Sequence, residues 1–260
     1  MKSRILSAIV IFALAAPLIY LGGYFYLIGI SIISLIAYKE ICNLPMFDNI
    51  PLPFKLCGIL FYYPLVVYSY FTKDLNSINY LYLITMILYV MLPSLFYSEK
   101  DYKLKDGLTL ASLLIFIAIG FNAILLSRET IGLFLYLLTI AVASDTFAMY
   151  TGMLVGKTKL CKEISPKKTV EGSMGGFIAS VLISSIVYNF LVNDINLKVI
   201  LLTVTLSIFS QMGDLLFSKI KRENDIKDFS NLIPGHGGIL DRVDSFMLIA
   251  IIYLVMSNIL

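Results

Sequence analysis

Between Ser218 and Asp244 the chain reads SKIKRENDIKDFSNLIPGHGGILDRVD, and most side chains useful for phosphate chemistry stand in it. Lys219, Lys221, Arg222 and Lys227 come first. Asp228, Asp241 and Asp244 follow, and His236, the chain's one histidine, directly precedes Gly237-Gly238. Asp241 and Asp244 stand at i and i+3, so a helix puts both carboxylates on one face. Such oxygen ligands suit a hard cation like Mg²⁺, which binds through a few carboxylates and substrate phosphates. With one histidine and no neighbouring cysteine they do not suit zinc. The run Pro234-Gly235-His236-Gly237-Gly238 is rich in backbone and poor in side chains, a turn able to wrap a phosphate or a flat base. His236 stays open between an acid–base role and that of a hydrogen-bonding or steric loop residue.

Two further carboxylates lie inside apolar sequence. Asp145 stands in TIAVASDTFAMYTGMLVG, and Asp214, with Gln211, in TVTLSIFSQMGDLLFSKIKR. A charge in hydrocarbon needs a partner, an ion or a wet cavity, so each either pairs with a loop lysine to fix packing or serves a site. Asp214, Ser218, Lys221 and Arg222 fall at i, i+4, i+7 and i+8, on one helical face, with Lys219 pointing elsewhere. A carboxylate below and two cations above make a wall for a phosphate-bearing substrate. The stretch GKTKLCKEISPKKTVEGSMGG adds Lys167 and Lys168. Pro166 keeps its neighbour extended or turning, and the following glycines suit a helix start that an anion can approach. The GxxxxGK[ST] order of a P-loop is absent, and the same lysines would also suit anionic lipid headgroups. Gly152 and Gly156 allow a close helix contact.

The elements that must hold these residues are greasy. Of 260 residues, 59% are hydrophobic and 14% charged, which leaves too little polar surface for a large soluble helical protein. Apolar runs at about 5–21, 23–41, 54–72, 78–97, 107–126, 130–152, 172–192, 196–218 and 239–258 predict about nine transmembrane helices. The first two, parted by Gly22-Gly23, could be one broken segment. Lys2 and Arg4 resemble the start of a signal peptide, but no convincing cleavage site follows. With the N-terminus in the cytoplasm and the spans alternating, only Lys73, Arg128 and Lys198 of the 20 lysines and arginines fall outside, a strong positive-inside bias. Cys42, Cys57 and Cys161 lack zinc spacing and read as free thiols. The expected organisation is a scaffold, residues 1–130, holding spans one to five. A catalytic region, 131–260, holds spans six to nine and the cytoplasmic loops 153–171 and 219–238. The fold class is thus an all-α polytopic integral membrane protein with its active site at the cytoplasmic face.

The stretch from Ser218 to Asp244 resembles the signature of phosphatidate cytidylyltransferases, the CDP-diacylglycerol synthases. Ser218, Lys221, Arg222, Lys227, Asp228, Ser230, Pro234, His236, Gly237, Gly238, Asp241, Arg242 and Asp244 all fit the pattern. SDTFAMYTGMLVGK, SPKKTVEG and QMGDLLFSKIKR resemble the family in the same order, with Met149 intervening between Ala148 and Tyr150. The likeness covers roughly 140–250.

The resemblance implies transfer of CMP from CTP to phosphatidic acid, giving CDP-diacylglycerol and pyrophosphate, at the inner (cytoplasmic) membrane. It implies Asp214 and Asp241 as Mg²⁺ ligands with Asp244 beside them, and leaves room for a second cation. Asp214, Asp241 and Lys221 are the expected catalytic residues. Lys167, Lys168, Ser218, Arg222, Lys227, His236, Gly237, Gly238 and Arg242 are expected to bind substrate, and Asp145 is a polar-site residue without an assigned role. The expected partners are CTP and phosphatidic acid in the bilayer, with no nucleic acid; a homodimer is an open assembly state. Competing readings are a CTP-dependent lipid kinase, a cytidylyltransferase for another lipid phosphate, a secondary transporter and a lipid-binding scaffold.

Overall fold

The structure, a computed structural model, describes residues 2–72, 80–97 and 102–257. Lys73, Lys100, positions 78–79 of the fourth expected span and position 258 of the last lie outside the described residues, as do the side chains of Lys2 and Arg4. Over its described residues every apolar stretch is helical.

The helices are α1 (Lys2–Leu21), α2 (Gly23–Cys42), α3 (Leu52–Cys57), α4 (Ile59–Thr72), α5 (Tyr80–Met91), α6 (Pro93–Phe96), α7 (Leu104–Ser127), α8 (Ile131–Val155), α9 (Val170–Leu191), α10 (Leu197–Glu223) and α11 (Leu240–Ser257). Among the described residues, six segments are long and apolar enough to cross a membrane: α2, α3 with α4, α7, α8, α9 and α10. The remaining expected spans are helices that fall short for visible reasons. The apolar part of α1 is Ile9–Leu21, and α5 has 12 residues before Pro93 opens α6. α11 has 18 residues but carries Asp241, Arg242 and Asp244 in its first turns.

The polar loop after α8 departs from an all-helical expectation. It folds as a hairpin of β1 (Lys159–Cys161) and β2 (Ser165–Thr169), antiparallel, with Lys159 opposite Thr169 and Cys161 opposite Ser165. Pro166 sits in β2, an edge strand with one partner, the setting in which a sheet tolerates proline. Thr169 then caps α9, its hydroxyl accepting from Gly172 N at 3.1 Å. Thr130 and Asn196 cap α8 and α10 in the same way.

The chain forms two compact units: Met1–Leu126 with Asp228–Arg242, and Ser127–Lys227 with Val243–Leu260. In the first, Gly22 and Gly23 both take positive φ, 64° and 53°, which separates α1 from α2. The two are distinct helices folded back on each other, since Leu18 of α1 lies over Gly29 of α2. Tyrosines do much of the polar work: Tyr26 Oη donates to Ile124 O at 2.9 Å and Tyr62 Oη to Ser34 O at 3.1 Å. Where water is excluded, such backbone acceptors need an internal donor. Tyr38 Oη donates to Lys55 O at 2.6 Å and stands against Gly58, where α3 gives way to α4. A side chain inserted into the helical ladder is a physical cause for that break.

In the second unit α8 and α9 pack backbone to backbone. A Cβ at Gly172 would stand 2.6 Å from Ala148 O, and one at Gly176 would stand 2.8 Å from Ala148 Cβ and 3.0 Å from Ala148 N. Of the two glycines read from the sequence, Gly152 faces Gly172 of α9, a Cβ there standing 3.7 Å from Gly172 Cα, while Gly156 stands against Thr169. Gly176→Val should lower stability by about 1–3 kcal/mol through overpacking, read as a lower melting temperature of the detergent-solubilised protein. Met174→Val, at a site 55% exposed, should leave that temperature unchanged. Equal melting temperatures for the two variants would remove the close contact from the account.

Candidate functional site

The polar residues of the second unit converge where α10 meets α11 and β2. Gly213 sets the contact. A Cβ there would lie 2.7 Å from Asp244 O and 3.3 Å from Ser245 Cα, so only glycine lets the start of α11 rest on α10. The Asp244 carboxylate then lies within electrostatic reach of Asp214, Lys221 and Asp145. Asp145, whose role the sequence leaves open, belongs to this cluster: Ser245 Oγ donates to its Oδ2 at 3.3 Å. Asp214 forms an ion pair with Lys168 and accepts from Ser218 Oγ at 3.3 Å. Ser173 and Gln211 bond reciprocally, the Gln211 amide donating to Ser173 O at 2.9 Å, which ties the start of α9 to α10 one turn below Asp214.

Three carboxyl groups thus share a small region with two ammonium groups, Lys168 and Lys221. Like charges this close repel unless a cation stands among them. Lys221 is 8% exposed and Lys168 about 30%, so Lys168 is the more accessible of the two. Among the described residues no three His, Cys, Asp or Glu side chains form a ready metal cage. An arrangement of one or two carboxylates completed by phosphate oxygens is the coordination Mg²⁺ favours.

The helical face expected from Asp214 to Arg222 holds for Ser218, which bonds Asp214, and for Lys221, which lies within electrostatic range of Asp244. Lys219 points away and pairs with Glu223 at 3.5 Å on the exposed side. Arg222 turns toward the hairpin: Nε donates to Ile164 O at 3.2 Å and a terminal nitrogen to Ile226 O at 3.0 Å. It ties the hairpin to the segment that follows α10. Lys167 and Lys227 are exposed.

The glycine turn belongs to the first unit. Ile233-Pro234-Gly235-His236 closes with His236 N donating to Ile233 O at 2.9 Å, and Gly235 has φ of 76°. That is a type II turn, with proline and glycine where the geometry wants them. Gly237 also takes positive φ, 85°. Ser7 Oγ donates to Pro234 O at 3.0 Å and lies 2.6 Å from His236 Nδ1. The Ser7 hydroxyl thus ties the imidazole to the backbone of its own turn. Asp241 Oδ2 accepts from Phe229 N at 2.8 Å and from Gly238 N at 2.9 Å. One oxygen of Asp241 is therefore committed to holding the turn. Arg242 is exposed on the next residue. Asp214 and Asp244 fall in one unit and Asp241 in the other.

Two residues at this turn escape sequence reasoning, because both come from the part read as scaffold. One is Ser7. The other is Glu40, 4% exposed at the end of α2, which accepts from Ser230 Oγ at 2.7 Å, Ile239 N at 2.8 Å and Leu240 N at 2.9 Å. Its signal is present in the sequence: a carboxylate within the second apolar run.

The phosphatidate cytidylyltransferase of Staphylococcus haemolyticus is 33% identical over 253 residues, covering 96% of each chain. Those of Staphylococcus saprophyticus and Staphylococcus aureus strain COL are each 33% identical with the same coverage. The family description "Cytidylyltransferase family" matches residues 2–260. With a match running from the second residue to the last, the chain belongs to the cytidylyltransferase family.

Proposed function

We propose that this chain is a phosphatidate cytidylyltransferase, transferring CMP from CTP to phosphatidic acid to form CDP-diacylglycerol and pyrophosphate. The observation that carries the reading is the 33% identity to phosphatidate cytidylyltransferases over 96% of both chains. The signature from Ser218 to Asp244 lies within the matched length.

The residues suit the reaction. The lipid phosphate is already anionic near neutral pH, so its oxygen can attack the α-phosphorus of CTP without a strong base. The bond to the β-phosphate oxygen breaks and pyrophosphate leaves with the electron pair. The obstacle is repulsion between two polyanions, so catalysis is positioning and charge neutralisation. Lys168, Lys221 and Lys167 supply positive charge, and the turn at His236-Gly237-Gly238 offers backbone to the nucleotide. Mg²⁺ is the expected cofactor; Asp214 and Asp244 would hold it, and it would supply positive charge to phosphate oxygens. Asp241 enters this ligand set through the family resemblance, beside its role at the turn.

The setting we propose is the inner membrane, with nine spans, the N-terminus in the cytoplasm and the site at the cytoplasmic face. The inward bias of the lysines and arginines supports it. Acyl chains then remain in the bilayer while the headgroup reaches the site.

Purified protein in liposomes, given CTP and a panel of lipid phosphates, tests the reading. Pyrophosphate release with CDP-diacylglycerol formation is expected when phosphatidate is present. Release only with a different lipid phosphate would reassign the substrate. ADP-like release of CDP with a newly phosphorylated lipid would make the protein a kinase, and no turnover with any would end the enzymatic reading.

A further inference from the structure

Helix α11 is entered through Gly238 and Ile239, neither of which has a side chain able to cap it. The first backbone N–H groups of a helix lack internal partners and normally find one on a serine, threonine, aspartate or asparagine at the N-cap. Here two carboxylates share that work from opposite directions. Asp241 reaches back three residues to Gly238 N at 2.9 Å, the acidic half of a capping box. The other half comes from α2, some 200 residues earlier in the chain. Glu40 Oε1 accepts from Ile239 N at 2.8 Å and Oε2 from Leu240 N at 2.9 Å.

Glu40 also grips the loop on its far side. Oε1 takes a third hydrogen bond, from Ser230 Oγ at 2.7 Å. A Cβ on residue 238 would stand 2.8 Å from Glu40 Cδ, so the carboxylate packs directly on the glycine backbone. A serine cap at 238 would displace the group that replaces it. The glycine of the signature is thus explained by a residue outside the signature. Burial at 4% exposure would penalise the charge. Three donors and the positive end of α11 offset that penalty.

We propose that Glu40 is a positioning residue for the cytidylyl-transfer reaction: it fixes the 229–241 loop and the first turn of α11, and so the aim of the His236-Gly237-Gly238 turn and of Asp241. It touches no substrate and acts through the loop. The kinetic part of this inference rests on the function proposed above; the structural part does not.

The test uses the full-length protein in membranes and in detergent. Glu40→Gln keeps the side chain's size but turns one acceptor into an N–H donor facing a backbone N–H. Hydrogen exchange of the 229–242 segment should speed up in this variant while exchange in α8 and α9 is unchanged. The kcat/KM for CTP should fall about tenfold or more, as expected when a supporting residue lets a reacting group drift. The fall should persist per folded molecule after correction for protein amount, and the neighbouring exposed Lys39→Gln should show neither change. Ser230→Ala removes one of the three bonds and leaves the charge in place. It should produce a smaller shift of both readouts in the same direction, and it serves if Glu40→Gln does not fold.

Unchanged exchange in the 229–242 segment overturns the proposal, whatever the activity. Faster exchange with unaltered kcat/KM per folded molecule also overturns it, leaving Glu40 a purely structural cap. Wild-type protein inactive on CTP and phosphatidate would instead fault the function reading, and the exchange arm would still decide whether Glu40 holds the loop.

Discussion

Asp214→Asn should reduce CDP-lipid formation at least a hundredfold while the protein remains folded and inserted. Asparagine keeps the shape and one acceptor, so Ser218 Oγ retains its 3.3 Å partner. What disappears is the negative charge that pairs with Lys168 and lies beside Asp244. Lost electrostatic stabilisation of about 2.7 kcal/mol corresponds to a hundredfold in rate. The fold should survive because asparagine keeps the bond from Ser218 and the pair is only half-buried, its side chains 30% and 23% exposed. The measurement is turnover per inserted molecule, with a melting curve alongside. Turnover within threefold of wild type would remove Asp214 from the reaction. A collapse in melting temperature would recast it as a structural residue.

Gly213 should be nearly as sensitive, through a different cause. A methyl group there meets Asp244 O at 2.7 Å, Leu248 Cβ at 3.2 Å and Ser245 Cα at 3.3 Å. These are backbone atoms or a Cβ, none of which can swing aside as a side-chain tip would. α11 must therefore move off α10 and carry Asp244 away from Asp214. In an exposed helix Gly→Ala would stabilise by about 1 kcal/mol; here the clash opposes that gain. Misplacing a reacting constellation by about 1 Å can cost on the order of a hundredfold. We expect a graded series, with Gly213→Ala mildly impaired and Gly213→Val severely so. Met212→Ala, one residue away and 49% exposed, should remain near wild type. Full activity in an inserted Gly213→Val protein would show that the approach of α10 to α11 is unnecessary.

The two predictions address different levels. Asp214 is chemistry that its residue type announces. Gly213 is the geometry that makes the chemistry possible, and nothing in QMGDLLFSKIKR distinguishes it from an incidental helix glycine. The same contrast runs through the site. Lys221 and Ser218 lie where helical spacing puts them relative to Asp214, because neighbours at i+4 and i+7 depend on one helix alone. Arg222 satisfies the same spacing yet turns to Ile164 and Ile226. A long, flexible guanidinium on an exposed turn takes the best acceptors in reach, and those are set by the hairpin.

Local pattern therefore determined much about this protein. The apolar runs became helices, since a run of that length leaves the backbone no other way to satisfy its hydrogen bonds in hydrocarbon. Pro166 kept its strand extended, and Pro234-Gly235 made the type II turn its two residues prefer. The stretch from Ser218 to Asp244 stood out because it gathers carboxylates and cations, the side chains phosphate chemistry uses, into one short run. Only the tertiary structure decided that Ser245 would meet Asp145 across 100 residues, that Ser7 would meet the His236 ring across 229, and that Glu40 would cap α11 across 200. Periodicity reports which face of an element is apolar, and not which distant element covers it. A buried carboxylate such as Glu40 is defined by the donors packed around it, and those are gathered by folding from both ends of the chain.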